Sequence, residues 1–269
     1  MVPPGAGPRQ GDRARVALFV NDVVGLRALE LTLAHPAADV RFVGYAGDRD
    51  PATAAEIARV AAPAVRAVPL ARRIPPAVLE TLREQRPDLV VLAWWPFILD
   101  PETLAVARRG VLNFHPGHLP HGRGMNSNFW AVVEGRPYGV TLHFADPTVD
   151  GGDIAYQRSI PVSWEDTGTS LLARARQALV ELYAEHLDEI LAGAIPRRPQ
   201  PPGGTLHRRA ELDPASRLDL DAPTTGRQVL DLLRARMFTP SAFDGAAAPA
   251  AHFTDGGRTY QVTVSIRPV

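Results

Sequence analysis

The chain has 269 residues, equal numbers of basic and acidic side chains (29 each) and hence a formal net charge of zero. This length holds one large domain, or a domain with a small appendage, and the neutral balance gives no electrostatic footing for nucleic acid or a membrane surface. Cysteine and lysine are both absent, which excludes disulfides, thiolate metal sites, cysteine nucleophiles, Schiff-base catalysis and a Walker-type phosphate loop.

Residues 1–13, rich in Pro and Gly and without an apolar core, read as a disordered leader rather than a signal peptide. No apolar run is long enough to span a bilayer, and the lack of cysteine suits the cytoplasm, where we expect the protein to work. Strand and helix signals then alternate. Residues 16–20 form a buried strand, 25–34 a helix, 40–45 a strand, and 52–62 a helix that Thr53 could cap after Pro51. A short strand near 64–68, a helix over 76–85, the apolar strand 88–94, a helix over 101–109 and a strand over 110–114 follow. Such alternation with short connections predicts an α/β fold with a doubly wound, mostly parallel sheet. Asn21-Asp-Val-Val-Gly25 stands where a dinucleotide-binding protein would carry Gly-x-Gly-x-x-Gly.

Past a polar loop at 117–126, a short helix covers 126–134 with Trp130 on its buried side, and strands cover 138–144 and 153–162. Asp166-Thr167 caps a long helix reaching about Ala192, whose apolar stripe includes Leu171, Leu172, Leu179, Tyr183 and Ile190. A proline-rich connector runs from Ile195 to Gly204. We therefore expect a main domain over 14–195. A small C-terminal α+β appendage over 205–269 would hold a helix at 223–237 and a hairpin around Asp255-Gly-Gly-Arg258.

Chemistry concentrates after the second buried strand. With a strand period of two, Asn113 and His115 point to one side, and Pro116-Gly117 stop the strand there. Open α/β sheets bind ligands at such strand ends. Thr148-Val-Asp-Gly-Gly-Asp153 adds a carboxylate, Asp150, in a glycine turn. Taken alone, Asp150 also fits an Asx turn, and His143 a structural histidine in an apolar strand.

Five ordered motifs resemble the folate-dependent formyltransferase family, closest to its small sugar N-formyltransferases. They are Asn113-Phe-His-Pro-Gly-His-Leu-Pro120, Arg123-Gly124, Asn128-Phe-Trp-Ala131, Gly139-Val-Thr-Leu-His143 and Asp150-Gly-Gly-Asp-Ile154. The likeness is strong over 88–160 and looser over 14–236. It implies the family's Rossmann-like core, 10-formyltetrahydrofolate as co-substrate and no metal. Asn113 would donate to the oxyanion, His115 would act as general base, and Asp150 would orient His115 or relay the proton. It also implies cofactor contacts at Leu92, Trp94, Trp95, Asp146 and Val149, although the tryptophans could equally fill core. Substrate contacts are implied at His118, Arg123, Asn126 and Asn128.

The acceptor expected from the short tail and from Arg123, whose fork suits a diphosphate, is a nucleotide-linked amino sugar. Alternatives are an amino-acid amine such as hydroxyornithine, or water, which would make the chain a formyltetrahydrofolate hydrolase. Neither nucleic acid nor a membrane is expected as partner; a homodimer is.

Overall fold

The computed structural model describes residues 13–47, 50–238 and 250–269. The expected leader lies outside them but for its last residue. In chain order the first elements are β1 (Ala14–Val20), α1 (Asp22–Ala34), β2 (Ala38–Ala46), α2 (Pro51–Ala61), β3 (Val68–Leu70), α3 (Pro76–Gln85), β4 (Leu89–Ala93), α4 (Pro101–Leu104) and β5 (Val111–His115). Then come β6 (Arg123–Gly124), α5 (Ser127–Val133), β7 (Gly139–Phe144), β8 (Ile154–Ser159), α6 (Gly168–Ala192) and β9 (Leu206–His207). The chain closes with α7 (Leu212–Ala215), α8 (Gly226–Ala235), β10 (Ala251–Asp255) and β11 (Arg258–Val262).

The residues fall into two compact units. One holds the described residues up to His115, with Leu142–Tyr156 and Leu179–Pro199; the other holds Pro116–Thr141, Gln157–Ala178 and the described residues from Gln200 onward.

The seven-stranded sheet has the order β3-β2-β1-β4-β5-β7-β8. Its pairs β2–β3, β1–β2, β1–β4 and β4–β5 are parallel, the doubly wound arrangement expected. Central parallel strands are covered on both faces, so they read as unbroken apolar runs. Every residue of β4 is buried, as are Val16 to Val20 of β1. Phe19, Phe42, Leu82, Val90, Leu92 and Val111 form the centre of this core, and burying each such side chain is worth roughly 1.5–3 kcal/mol. The chain leaves β1 for β2 and β3 on one side, then returns to β4 and β5 on the other. The sheet thus has its switch point between β1 and β4, beside the ends of the strands that carry Trp94 and His115.

Several boundaries differ from expectation for local reasons. The cap of α2 is Asp50, which accepts the Ala52 and Thr53 amides, while the Thr53 hydroxyl donates back to it. The strand expected near 64–68 lies at β3, because the Ala64 and Val65 amides still bond the Ala61 carbonyl and prolong the helix end. α4 is a single turn. α8 starts at Gly226 because Thr225 and Gln228 form a capping box. Thr167 caps α6 by accepting the Ser170 amide at 3.2 Å.

In the second unit α8 packs against α5. β10 and β11 form the expected antiparallel hairpin, with Phe253 stacked on Tyr260 at 5.1 Å.

Candidate active site

β5 delivers two polar side chains to one side of the sheet and one aromatic to the other. Phe114 packs on Tyr183, ring centroids 5.0 Å apart. Asn113 and His115 point the opposite way. Asn113 lies level with Leu92 of β4, and His115 is 3% exposed.

β7 brings His143 beside them. Its Nδ1 lies 3.0 Å from the Phe144 carbonyl oxygen, so the N–H sits on Nδ1 and donates there. Nε2 is then an acceptor, and Asn113 Nδ2 donates to it at 3.0 Å. Asn113 is thereby fixed with its amide nitrogen turned toward the cluster, and that nitrogen carries a second N–H. His143 is 1% exposed. The sequence gives it no more than a supporting place, yet it touches both other polar partners of His115's side. Its place at the end of the Gly139-Val-Thr-Leu-His143 motif is the signal that points to it.

The carboxylate comes from the turn after β7. Asp146 accepts from the Thr148 amide and hydroxyl, closing an Asx turn. Asp150 follows in the left-handed region at φ 49°, a conformation that Asp tolerates better than most residues. Gly152 then passes so close to β7 that a Cβ there would strike the Phe144 carbonyl oxygen. The result is that Asp150 faces two imidazoles. Oδ2 lies 3.5 Å from His115 Nδ1 and Oδ1 lies 3.4 Å from His143 Nε2. A carboxylate on Nδ1 favours the proton there and leaves the lone pair on Nε2, the form a base needs. An imidazolium formed on His115 would be attracted to this carboxylate by a few kcal/mol at protein-surface dielectric.

The segment after β4 frames the same edge. Trp94 takes φ 59°. Trp95 stands edge-on to Phe19 at 5.3 Å and to Phe97 at 5.4 Å, and its indole nitrogen is buried without a hydrogen-bond partner. Leu92 is buried in the core, whereas Val149 and Ile98 are exposed. Among the described residues no group of three or more His, Asp or Glu is arranged to hold a metal ion.

The four residues expected to meet substrate lie in the other unit. Arg123 Nε donates to Gln200 Oε1 at 3.0 Å. Asn126 sits at φ 59° just before α5, its amide nitrogen buried without a partner. His118 is half-buried, with Nε2 3.0 Å from the Ser159 hydroxyl; burial, and then the nearby His121, hold it below the usual histidine range. Asn128 departs from expectation. It is 3% exposed and donates its amide to the Gly168 carbonyl at 2.9 Å, so in this structure it braces the start of α6.

An amide donor, an imidazole and a carboxylate at the carboxyl edge of a parallel sheet are groups that can polarise a carbonyl and take up a proton. The model of the formyl transferase family matches residues 30–187, and the chain belongs to that family. Residues 211–268 match the N-formyltransferase dimerization C-terminal domain. A methionyl-tRNA formyltransferase of Anaeromyxobacter dehalogenans is 38% identical over 183 residues, 67% of this chain and 55% of its own length. The chain thus spans about half of that relative. A solved candidate sugar N-formyltransferase of Mycobacterium tuberculosis is 25% identical, with TM-score 0.74 over 95% of this chain and 99% of the other. The N-formyltransferase of Helicobacter canadensis, solved with folinic acid and dTDP-3-aminofucose, shares the fold at 16% identity, with TM-score 0.66 over 84% of this chain and 81% of its own.

Proposed function

We propose that this chain transfers a formyl group from 10-formyltetrahydrofolate to the amine of a nucleotide-linked amino sugar. The observation that carries the reading is the cluster in which Asp150 faces His115 while His143 holds the Asn113 amide. The family makes 10-formyltetrahydrofolate the donor, and the site suits it. Trp94, Ile98 and Val149 offer apolar surface to a flat ring, and the Asn113 amide offers an N–H to a carbonyl oxygen. When bound, the folate supplies a formyl carbon open to attack by an amine.

The chain's own residues then have three tasks. Asn113 donates to the oxygen as negative charge gathers on it, a contact worth roughly 3 kcal/mol. His115 takes the proton that the attacking nitrogen sheds, worth about 10²- to 10⁴-fold. Asp150 holds His115 in the basic tautomer and balances its charge once protonated.

The sugar part of the reading is supported by the near full-length likeness to the Mycobacterium tuberculosis protein. The neutral net charge weighs against a tRNA acceptor. Arg123, steadied by Gln200, would grip the diphosphate. The match over 211–268 supports a homodimer, which light scattering of the purified chain checks. No described helix is long and apolar enough to cross a membrane.

The functional test is a panel with 10-formyltetrahydrofolate and dTDP- or UDP-linked amino sugars, hydroxyornithine, or no amine. A formamide on a nucleotide sugar is the expected product. Product with hydroxyornithine alone overturns the acceptor, and full tetrahydrofolate release without any amine marks a hydrolase.

A further inference from the structure

Outside the catalytic edge, a second histidine is held by carboxylates, and nothing above gives it a task. His207 lies in β9, at the end of Gly203-Gly-Thr-Leu-His207. Its ring is stacked on Trp130 of α5 at 3.7 Å and 8°. Nδ1 donates to Glu211 Oε2 at 2.9 Å, and Nε2 is 2.9 Å from Glu134 Oε1. The second contact is close but not well aligned for a hydrogen bond.

The backbone of this residue is fastened to the loop that carries Arg123 and Asn126. β6 and β9 pair in parallel, with Arg123 level with Leu206 and Gly124 with His207. The Arg123 amide donates to the Thr205 carbonyl and the Met125 amide to the His207 carbonyl, each at 3.0 Å. The Gly122 amide donates to the Thr205 hydroxyl at 2.8 Å. Gly124, at φ 82°, lies so near that a Cβ would strike the His207 carbonyl oxygen. Two-residue strands have little hold of their own. What fixes this pair is the side chain of His207, seated on α5 by its ring and flanked by a carboxylate at each nitrogen.

We infer that His207 is a positioning residue for the amine substrate: it pins residues 122–126 against α5 and so sets how well Arg123 and Asn126 meet that substrate, without touching the formyl-transfer chemistry. The inference rests on the acceptor reading above for its substrate, but the pin itself rests on these contacts alone. A site held within a fraction of an ångström by residues locked from behind loses substrate affinity before it loses turnover when that support goes.

The test uses the full chain and has two arms. In His207→Ala, hydrogen exchange at 122–126 should quicken while 111–115 stays as in the unaltered protein. With an amino-sugar nucleotide as acceptor, its KM should rise about tenfold, with kcat and the KM for 10-formyltetrahydrofolate within about twofold. If His207→Ala fails to fold, Glu211→Gln, at a more exposed carboxylate, should give the same pattern at about two- to threefold. Unchanged loop exchange overturns the inference, as does a fall in kcat with the amine KM unmoved or an equal rise in both KM values. If the unaltered enzyme accepts no amino-sugar nucleotide, the acceptor reading fails, and the exchange arm alone decides the role of His207.

Discussion

Two histidine–carboxylate clusters in this chain are built on opposite plans. At the catalytic edge one carboxylate, Asp150, is shared by two imidazoles at 3.5 and 3.4 Å. In the second unit one imidazole, His207, is shared by two carboxylates, both at 2.9 Å. The first is the more loosely spaced, one carboxylate set against two rings. The second is more tightly spaced, with an aromatic floor beneath the ring. If His115 is the base, its cluster sets one carboxylate against two imidazoles, whereas that of His207 sets two carboxylates against one ring.

The largest effect that would break this contrast is at His115. His115→Ala should lower kcat/KM by about 10²- to 10⁴-fold, with a thermal midpoint close to that of the unaltered protein. A large fall in midpoint, with activity lost only in step with unfolding, would put His115 among the fastening residues.

Arg123→Ala comes next. Losing a charge-assisted grip worth roughly 1.5–3 kcal/mol should raise the amino-sugar KM ten- to a hundredfold, with folate affinity nearly constant. Normal binding of the sugar nucleotide would remove Arg123 from the substrate site.

Gly152→Ala sharpens the contrast from the side of Asp150. The new Cβ meets the Phe144 carbonyl oxygen, so the turn must shift and carry the carboxylate off His115. We expect a loss of about 1–3 kcal/mol in chemical denaturation together with a fall in kcat. Full activity would mean that the position of Asp150 matters little.

The smallest effect belongs to the Asp166 carboxylate. Burial alone would raise it, but the Ser163 amide, the Ser170 hydroxyl and the Arg174 guanidinium outweigh burial and hold it below the ordinary carboxylate value. Its folded value is depressed, so its stabilisation is present above the unfolded value of 3.8 and is lost as pH falls through the folded one. Urea midpoints measured downward from about pH 6 should therefore drop less steeply on acidification in Asp166→Asn.

The sequence is most legible where a period is enforced by burial. The apolar runs of β1 and β4 have no other use than central parallel strands. The alternation through Asn113-Phe-His115 puts two polar groups on one side, where the structure has them. Legibility fails where a contact joins distant segments. His143 looks like any histidine of an apolar strand until Asn113, 30 residues earlier in the sequence, donates to it. His207 opens the C-terminal appendage just past the connector and carries no signal of its own, since a two-residue strand has no period to detect. Asn128 looks available in a polar stretch, but α5 turns it inward onto Gly168. The helix expected from residue 223 starts at Gly226, because the capping box of Thr225 and Gln228 and not hydrophobic spacing sets its first turn.

The stacking of His207 on Trp130 also has an optical side. An imidazole in van der Waals contact with an indole dims its emission, so Trp130 should be a weak emitter. Trp94 and Trp95 sit in the other unit, beside the catalytic edge, and Trp95 is ringed by phenylalanines that do not quench. A protein that offers no thiol and no lysine amine to a dye thus carries unequal lamps of its own. Folate titrations can be followed by that intrinsic light, and any brightening of the dim one would announce that the pin on the neighbouring loop has opened.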